Sequence, residues 1–237
     1  MLIVAVVGSK KSGKTTAVET LVNGLTNKGY KVATVKHIPE THFTIDAKGK
    51  DTWRHSRAGA QTVMSVAPKE LALIKKVDTT KYSLKQIIAG CRNDAEIIIL
   101  EGFKKLVGQN PQVPKVVAAK TTSEALGASE HYTSILSFVG PIQKEATKLK
   151  IPYVDVLKEP EKLVNLVDHE AAVLDRRRRK RKEYVRIEID ERVLSLNPFV
   201  QEIIRNTIVG MISTLKGAAF KEEKKISITI KSSSNGN

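Results

Sequence analysis

The chain has 237 residues, 41% of them hydrophobic, and a formal net charge of +15. That length makes one large or two small domains with a normal core, and the single cysteine, Cys91, excludes a disulfide framework and a thiolate-rich zinc centre. No apolar segment is long enough to cross a membrane. The apolar start, which lacks a basic leader, is not expected to be a signal peptide, so a cytoplasmic protein is expected.

Leu2 to Val7 is short, continuous and rich in β-branched residues, the pattern of a strand buried on both faces. From Gly8 to Thr15 the sequence then reads Gly-x-x-x-x-Gly-Lys-Thr, the phosphate-binding loop pattern. Ala17, Val18, Leu21, Val22 and Leu25 follow at helical spacing, and Gly29 stands where a helix C-cap is expected. The glycines let successive N–H groups face inward, and the helix start adds its partial positive charge. Gly8, Ser9, Ser12, Gly13, Lys14, Thr15 and Thr16 are therefore phosphate-binding candidates. Lys14 is placed to reach the β- and γ-phosphates, and the Thr15 hydroxyl to bind magnesium. Lys10 and Lys11 either touch phosphate or are simply solvated, with solvation preferred.

Residues 31–36 read as a second strand, followed by a polar loop through Trp53. Residues 62–67 and 70–75 read as a hairpin around Pro68. Ser83 is expected to cap a helix running to Arg92. Strands are expected at 96–100, 115–119, 134–139 and near 154, with helices at 141–149 and 160–174. Strands alternating with helices predict a three-layer α/β fold of the P-loop NTPase kind, with a mostly parallel sheet, over residues 1–174.

Seven of the positive charges stand in one run, Arg176 to Lys182, read as a solvated linker over 175–183. Beyond it, a small α+β module is expected over 184–231. Val185, Ile187 and Ile189 alternate as in a strand. Asn197-Pro198 starts a helix with Val200, Ile204, Ile208, Met211 and Leu215 on one face, and Gly217 can end it. Residues 225–231 alternate again, and the tail 232–237 is expected to be disordered.

A phosphate loop needs a carboxylate at the end of a neighbouring strand. Glu101 supplies it, directly after four aliphatic residues, and fits a role through a metal-bound water or in positioning the attacking water. Gly102 lets the backbone approach the phosphates. The loop after the second strand carries His37, His42, Asp46, Lys48, Lys50, Asp51, Arg54 and Arg57, a density suited to the carboxyl end of a sheet. Asp46 or Asp51 is expected to assist magnesium or water, ahead of any transition-metal role. Lys14, Glu101 and Asp46 are thus the catalytic candidates, and Thr15, Glu101 and Asp46 the metal candidates. Trp53 is read as packing rather than as a base platform.

Four segments occur in order: "GSKKSGKTT", Lys36-His37, "DAKGKDTWRHSRAGA" from Asp46, and "LEGFK" from Leu100. Together they resemble the molybdopterin-guanine dinucleotide biosynthesis accessory protein B (MobB) family over about residues 1 to 172. The resemblance implies a homodimeric, GTP-binding protein with weak GTPase activity that uses Mg2+. It implies a partner in the molybdenum cofactor guanylyltransferase, which joins GMP to molybdopterin, with molybdopterin itself as a further ligand. Gly8 to Thr16 would hold phosphates, Glu101 would serve the magnesium side, and Asp46, Lys50 and Asp51 would line the same crevice. Ile38 and Glu40 depart from the family pattern, which often has a polar residue and a histidine there. The segment Tyr184 to Lys231 lies outside the resemblance.

No N-K-x-D base-reading motif is present, so guanine preference comes from the resemblance alone. Two other readings stand. One is a P-loop kinase of a small metabolite, with Arg54 and Arg57 as clamps. The other is a nucleic-acid-binding NTPase using the basic run, which no groove-reading module accompanies.

Overall fold

The computed structural model describes residues 1–142, 151–182, 185, 187–189 and 192–215. Residue contacts divide the chain into two compact units, Met1–Leu174 and Asp175–Asn237.

The first unit is built on five parallel strands: β1 (Leu2–Gly8), β2 (Val32–Lys36), β5 (Ile97–Glu101), β6 (Lys115–Ala118) and β7 (Ile135–Val139), in the spatial order β2-β5-β1-β6-β7. The period-2 alternation of buried strands divides their side chains between two cores. Leu2, Val4, Val6, Ile97, Ile99 and Val116 face α1 (Lys14–Asn27) and the start of α6 (Pro160–Lys182), meeting Leu21, Leu25, Leu163 and Val167. Ala5, Val7, Ile98, Leu100 and Phe138 face the other way, toward α3 (Leu84–Ile88), α4 (Lys104–Val107) and α5 (Thr122–His131), meeting Ile88, Val107 and Ala125. This is the expected three-layer α/β fold. A separate antiparallel hairpin pairs β3 (Thr62–Ala67) with β4 (Glu70–Lys75), as the sequence predicts.

Other elements differ from expectation, for local reasons. The polar loop after β2 contains α2 (Asp51–Arg57), none of whose residues is buried, so no apolar stripe marked it. Asp51 at its first position favours the positive helix end. The helix capped by Ser83 stops at Ile88, one residue before Ala89-Gly90. Near residue 154 only Tyr153 bridges to Phe138; Pro152 before it has no N–H to give a ladder. The helix from Pro160 does not stop at 174. It runs through the basic residues to Lys182, because arginine and lysine are good helix formers and neither glycine nor proline interrupts them. The helix expected at 141–149 falls mostly outside the described residues.

In the second unit the sequence 185–194 is not one strand. β8 (Ile187–Ile189) pairs antiparallel with β9 (Arg192–Leu194). Helix α7 (Pro198–Ser213) starts as expected, with the Asn197 side chain accepting the Val200 N–H at 3.0 Å. It ends at Ser213, before Gly217. Val200, Ile204, Ile208 and Ile212 form its half-buried line, whereas Met211 and Leu215 are exposed. The strand expected at 225–231 and the tail lie outside the described residues.

One polar tie fixes α6 against the turn after α1. Tyr30 Oη donates to Asp168 Oδ1 at 2.7 Å, and Lys28 Nζ lies 3.1 Å from Oδ2. The tyrosine hydroxyl, and after it the lysine, hold the Asp168 carboxyl below its usual 3.8. A depressed carboxyl stabilises the fold above its unfolded pKa and loses that effect as pH falls through the folded value. Asp168→Asn should therefore cost about 1 kcal/mol at pH 7 by urea denaturation, and the gap to the unaltered chain should narrow steadily as pH falls below 3.8. A gap that does not narrow with acidification would place the effect elsewhere.

Candidate functional site

At the carboxyl ends of the parallel strands the chain makes its tightest turns. Gly8 ends β1 at φ +153°, and Gly13 precedes α1 at φ +93°. A Cβ on Gly8 would stand 2.1 Å from the Ala118 carbonyl oxygen of β6. Gly140, just past β7, closes on the same region: a Cβ there would lie 2.2 Å from Ala119 O and 3.1 Å from Ser12 O. Lys11 sits in the left-handed region at φ +61° without being glycine, a strained position of the kind found at ligand sites. The Ser12 hydroxyl is buried and donates to Ser9 O at 2.8 Å. The result is an open cleft of about 250 Å³ lined by Lys11, Ser12, Gly13, Lys14, Thr15 and Thr16.

Lys14 Nζ reaches across the turn to donate to Ser9 O at 2.5 Å. Burial is the chief cause lowering its pKa below the usual 10.5; Glu101 opposes the shift, and Lys104, Lys36 and Lys120 add to it. Four lysines from different strand ends therefore share one field. Such a field suits a polyanion.

Glu101 ends β5, next to β1 on one side and β2 on the other, in register with Val6 and Lys36. Its side chain is 13% exposed, and Oε1 lies 3.3 Å from Lys36 Nζ and 3.4 Å from Thr15 Oγ1. The hydroxyl contact is long for O–H···O. Gly102 follows at φ +93°, donates its N–H to Val6 O, and leaves 3.1 Å between a would-be Cβ and His37 Cβ. The His37 ring packs on Phe103 with centroids 5.2 Å apart.

On the other side of the loop, Glu124 accepts the Ser9 hydroxyl at 3.2 Å and the Lys120 N–H at 2.9 Å. The Lys120 bond is the main reason its carboxyl lies below the usual range. Sequence reasoning missed Glu124 and helix α5. The signal was there: Thr121-x-x-Glu124 is a capping pattern, and the Thr121 hydroxyl does accept the Glu124 N–H.

Of the predicted site residues, the structure gathers Gly8 to Thr16, Glu101 and Gly102. Asp46, Lys50 and Asp51 form a separate local set. Asp46 accepts the Thr52 hydroxyl at 2.8 Å, Lys50 caps α2, and Asp51 lies 3.7 Å from Arg54 on an exposed face. Asp46 is thus engaged within its own loop. Arg57 stands over the Trp53 ring at 5.8 Å. Among the described residues no three His, Cys, Asp or Glu side chains gather to hold a metal by themselves.

The sequence profile of the family described as molybdopterin guanine dinucleotide synthesis protein B (MobB) matches residues 3–140. The chain belongs to this family. It is 28% identical over 242 residues to a candidate molybdopterin-guanine dinucleotide biosynthesis adapter protein of Methanocaldococcus jannaschii, covering 97% of this chain and 98% of that one. It is 26% identical over 153 residues to the molybdopterin-guanine dinucleotide biosynthesis adapter protein of Haemophilus influenzae, 63% of this chain and 81% of that protein. A crystal structure of a molybdopterin-guanine biosynthesis protein B aligns with a TM-score of 0.55 at 25% identity, over 72% of this chain and 99% of the other. The MobB homologue of Bacillus stearothermophilus shares the fold at a TM-score of 0.52 and 22% identity, over 73% and 99%. The archaeal relative extends over the C-terminal segment, which the sequence reading left outside the family resemblance; the two MobB structures match without it.

The closeness of β6 to Gly8 makes a direct prediction. Gly8→Ala must strain the backbone and push Ala118 away, which should cost about 3 kcal/mol in chemical denaturation. A cost below about 1 kcal/mol would mean that the loop yields and that its packing does not set its shape.

Proposed function

We propose that this MobB-family chain is a GTP-binding adapter with slow GTPase activity, acting in molybdenum cofactor biosynthesis beside the guanylyltransferase that joins GMP to molybdopterin. The observation that carries the nucleotide part is the meeting of Thr15 and Glu101 beside Lys14, where β1 and β5 end. The adapter role rests on the family and on the names its relatives carry.

The residues fit a magnesium nucleotide. A hydroxyl and a carboxylate are hard oxygen donors, and magnesium binds through one or two such groups plus substrate phosphates and water. Thr15 and Glu101 would hold it. When bound, magnesium neutralises charge developing on the β- and γ-phosphate oxygens. Lys14 would exchange the Ser9 carbonyl for phosphate oxygens, and the N–H groups of the loop would close on the same anion. Glu101 would orient the attacking water. Slow turnover follows from the absence of a positioned arginine in these contacts, and the partner enzyme is the natural source of one.

We place this chemistry in residues 1–174 and assign the basic run in α6 no nucleic-acid role. A homodimer in the cytoplasm completes the reading, and light scattering on the intact chain tests the dimer. Guanine over adenine rests on the family. Titration with magnesium and either GTP or ATP decides it, and labelled γ-phosphate released to water, not passed to a metabolite, excludes the kinase reading.

Lys14→Ala removes a phosphate contact and no core packing, so it should abolish magnesium-dependent GTP binding while the circular dichroism spectrum stays unchanged. Equal affinity in the folded variant sinks the phosphate-loop assignment. Glu101→Gln should keep affinity within about tenfold and slow hydrolysis by about a hundredfold or more, because an amide neither accepts a proton nor orients water as a carboxylate does. Unchanged turnover would move that role to another carboxylate, Asp46 first.

A further inference from the structure

We propose that Lys36 is the residue that distinguishes a nucleoside triphosphate from a diphosphate, and that in the nucleotide-free protein it stands in for the cation at Glu101. The inference rests on the nucleotide reading above and assigns a residue that reading does not use.

The geometry starts from the strand register. Lys36 is the last residue of β2 and pairs directly with Glu101, the last residue of β5. Adjacent residues in a parallel pair point to the same face, so both side chains leave the sheet together. Their charged ends meet at 3.3 Å, and the oxygen that Lys36 approaches, Oε1, is the one facing Thr15 Oγ1. Two groups thus converge on a single carboxylate oxygen at the point where magnesium chemistry is expected. A largely buried carboxylate is costly without a counter-charge. The ammonium supplies that charge and holds the carboxylate in place beside Thr15.

The pair differs in mobility. The lysine side chain is 57% exposed and the glutamate 13%. Lysine is a point charge on a flexible four-carbon stem, so it can leave while Glu101 stays. Glu101 and Thr15 would hold a divalent cation at the oxygen Lys36 now approaches, and the ammonium would then be displaced by like charge. The ammonium then goes to the nearest anion. The cation would supply charge neutralisation at the outer phosphates, so with a triphosphate the anion left for Lys36 would be the γ-phosphate. With a diphosphate no anion is there, and the displaced lysine faces water. Lys36 thereby gains a partner only when a γ-phosphate is present. β2 is the edge strand, with β5 between it and β1, so Lys36 approaches the cleft from the Glu101 side and not from the loop.

Isothermal titration of the full chain with magnesium and GTP or GDP tests this, using K36Q, which keeps length and loses charge, and K36R, which keeps charge. K36Q should weaken GTP binding by at least about tenfold and change GDP binding by less than about threefold, the loss expected for one charge-assisted hydrogen bond. K36R should retain GTP affinity within about threefold. Equal losses for GTP and GDP, or no loss for GTP, overturn the inference and leave Lys36 as an exposed ion-pair partner. If the unaltered chain prefers adenine, ATP and ADP serve the same comparison. Binding of neither triphosphate by the unaltered chain overturns the nucleotide reading itself, and this inference with it.

Discussion

Everything at this site depends on backbone that has no room for a side chain. Gly8 meets the Ala118 carbonyl, and Gly140 meets both the Ala119 carbonyl and the loop at Ser12. Three parallel strands thus end on one turn. The turn is held from outside by packing, and from inside by the Ser12 hydroxyl and the Lys14 ammonium, both on the Ser9 carbonyl. A loop fixed this way holds its shape before a ligand comes. That is the condition for binding phosphate without the cost of ordering the loop at that moment.

Charge is arranged around that turn with a clear division. Glu101 stands on the β5 side and is met by Thr15 and Lys36; Glu124 stands on the β6 side and is met by Ser9 and the Lys120 N–H. Lys14 lies within the field of both Lys36 and Lys120. Each carboxylate therefore faces a hydroxyl of the loop, and each is adjacent to a lysine residue. The β5 side has the half-buried acid and the mobile cation, which suits a place where charge changes during a cycle. On the β6 side the acid is tied to backbone, which suits a fixed support.

The phosphate loop, its two flanking strands and the Glu101 end were legible because each has a strict local signature. Buried parallel strands read as aliphatic runs, and the loop spacing is set by backbone geometry. The hairpin was legible from Pro68 between two short strands. Helix α2 was not, since none of its residues is buried and its polar sequence has no stripe. Helix α5 was missed for want of weight on Thr121 and Glu124, whose capping role needs no hydrophobic pattern. Asp46 was named from the polar density of its loop as well as from the resemblance; its bond to Thr52 could not be read from either. Lys36 was visible as the end of a strand and in the Lys36-His37 pair of the family resemblance, but not as a partner of Glu101. Its meaning comes from register across to Glu101, and a pairing between strands some 60 residues apart is not written in either strand alone.

The choice of glutamate at the end of β5 has a consequence for how the two strands work together. Glu101 reaches both Thr15 on the helix side and Lys36 on the edge-strand side with one oxygen. An aspartate is one methylene shorter and would sit nearer its own backbone, where Gly102 is already bonded to Val6 O and leaves little room for a side chain beside His37. Shortening would trade the contact with Lys36 for crowding against that turn. The longer acid couples the edge strand to the loop. A cation change at Glu101 can then be felt at β2, and from β2 the chain runs directly into the polar segment that holds Asp46 and α2. Whatever binds at Glu101 is thus linked by one carboxylate to the edge strand and to the polar segment that follows it.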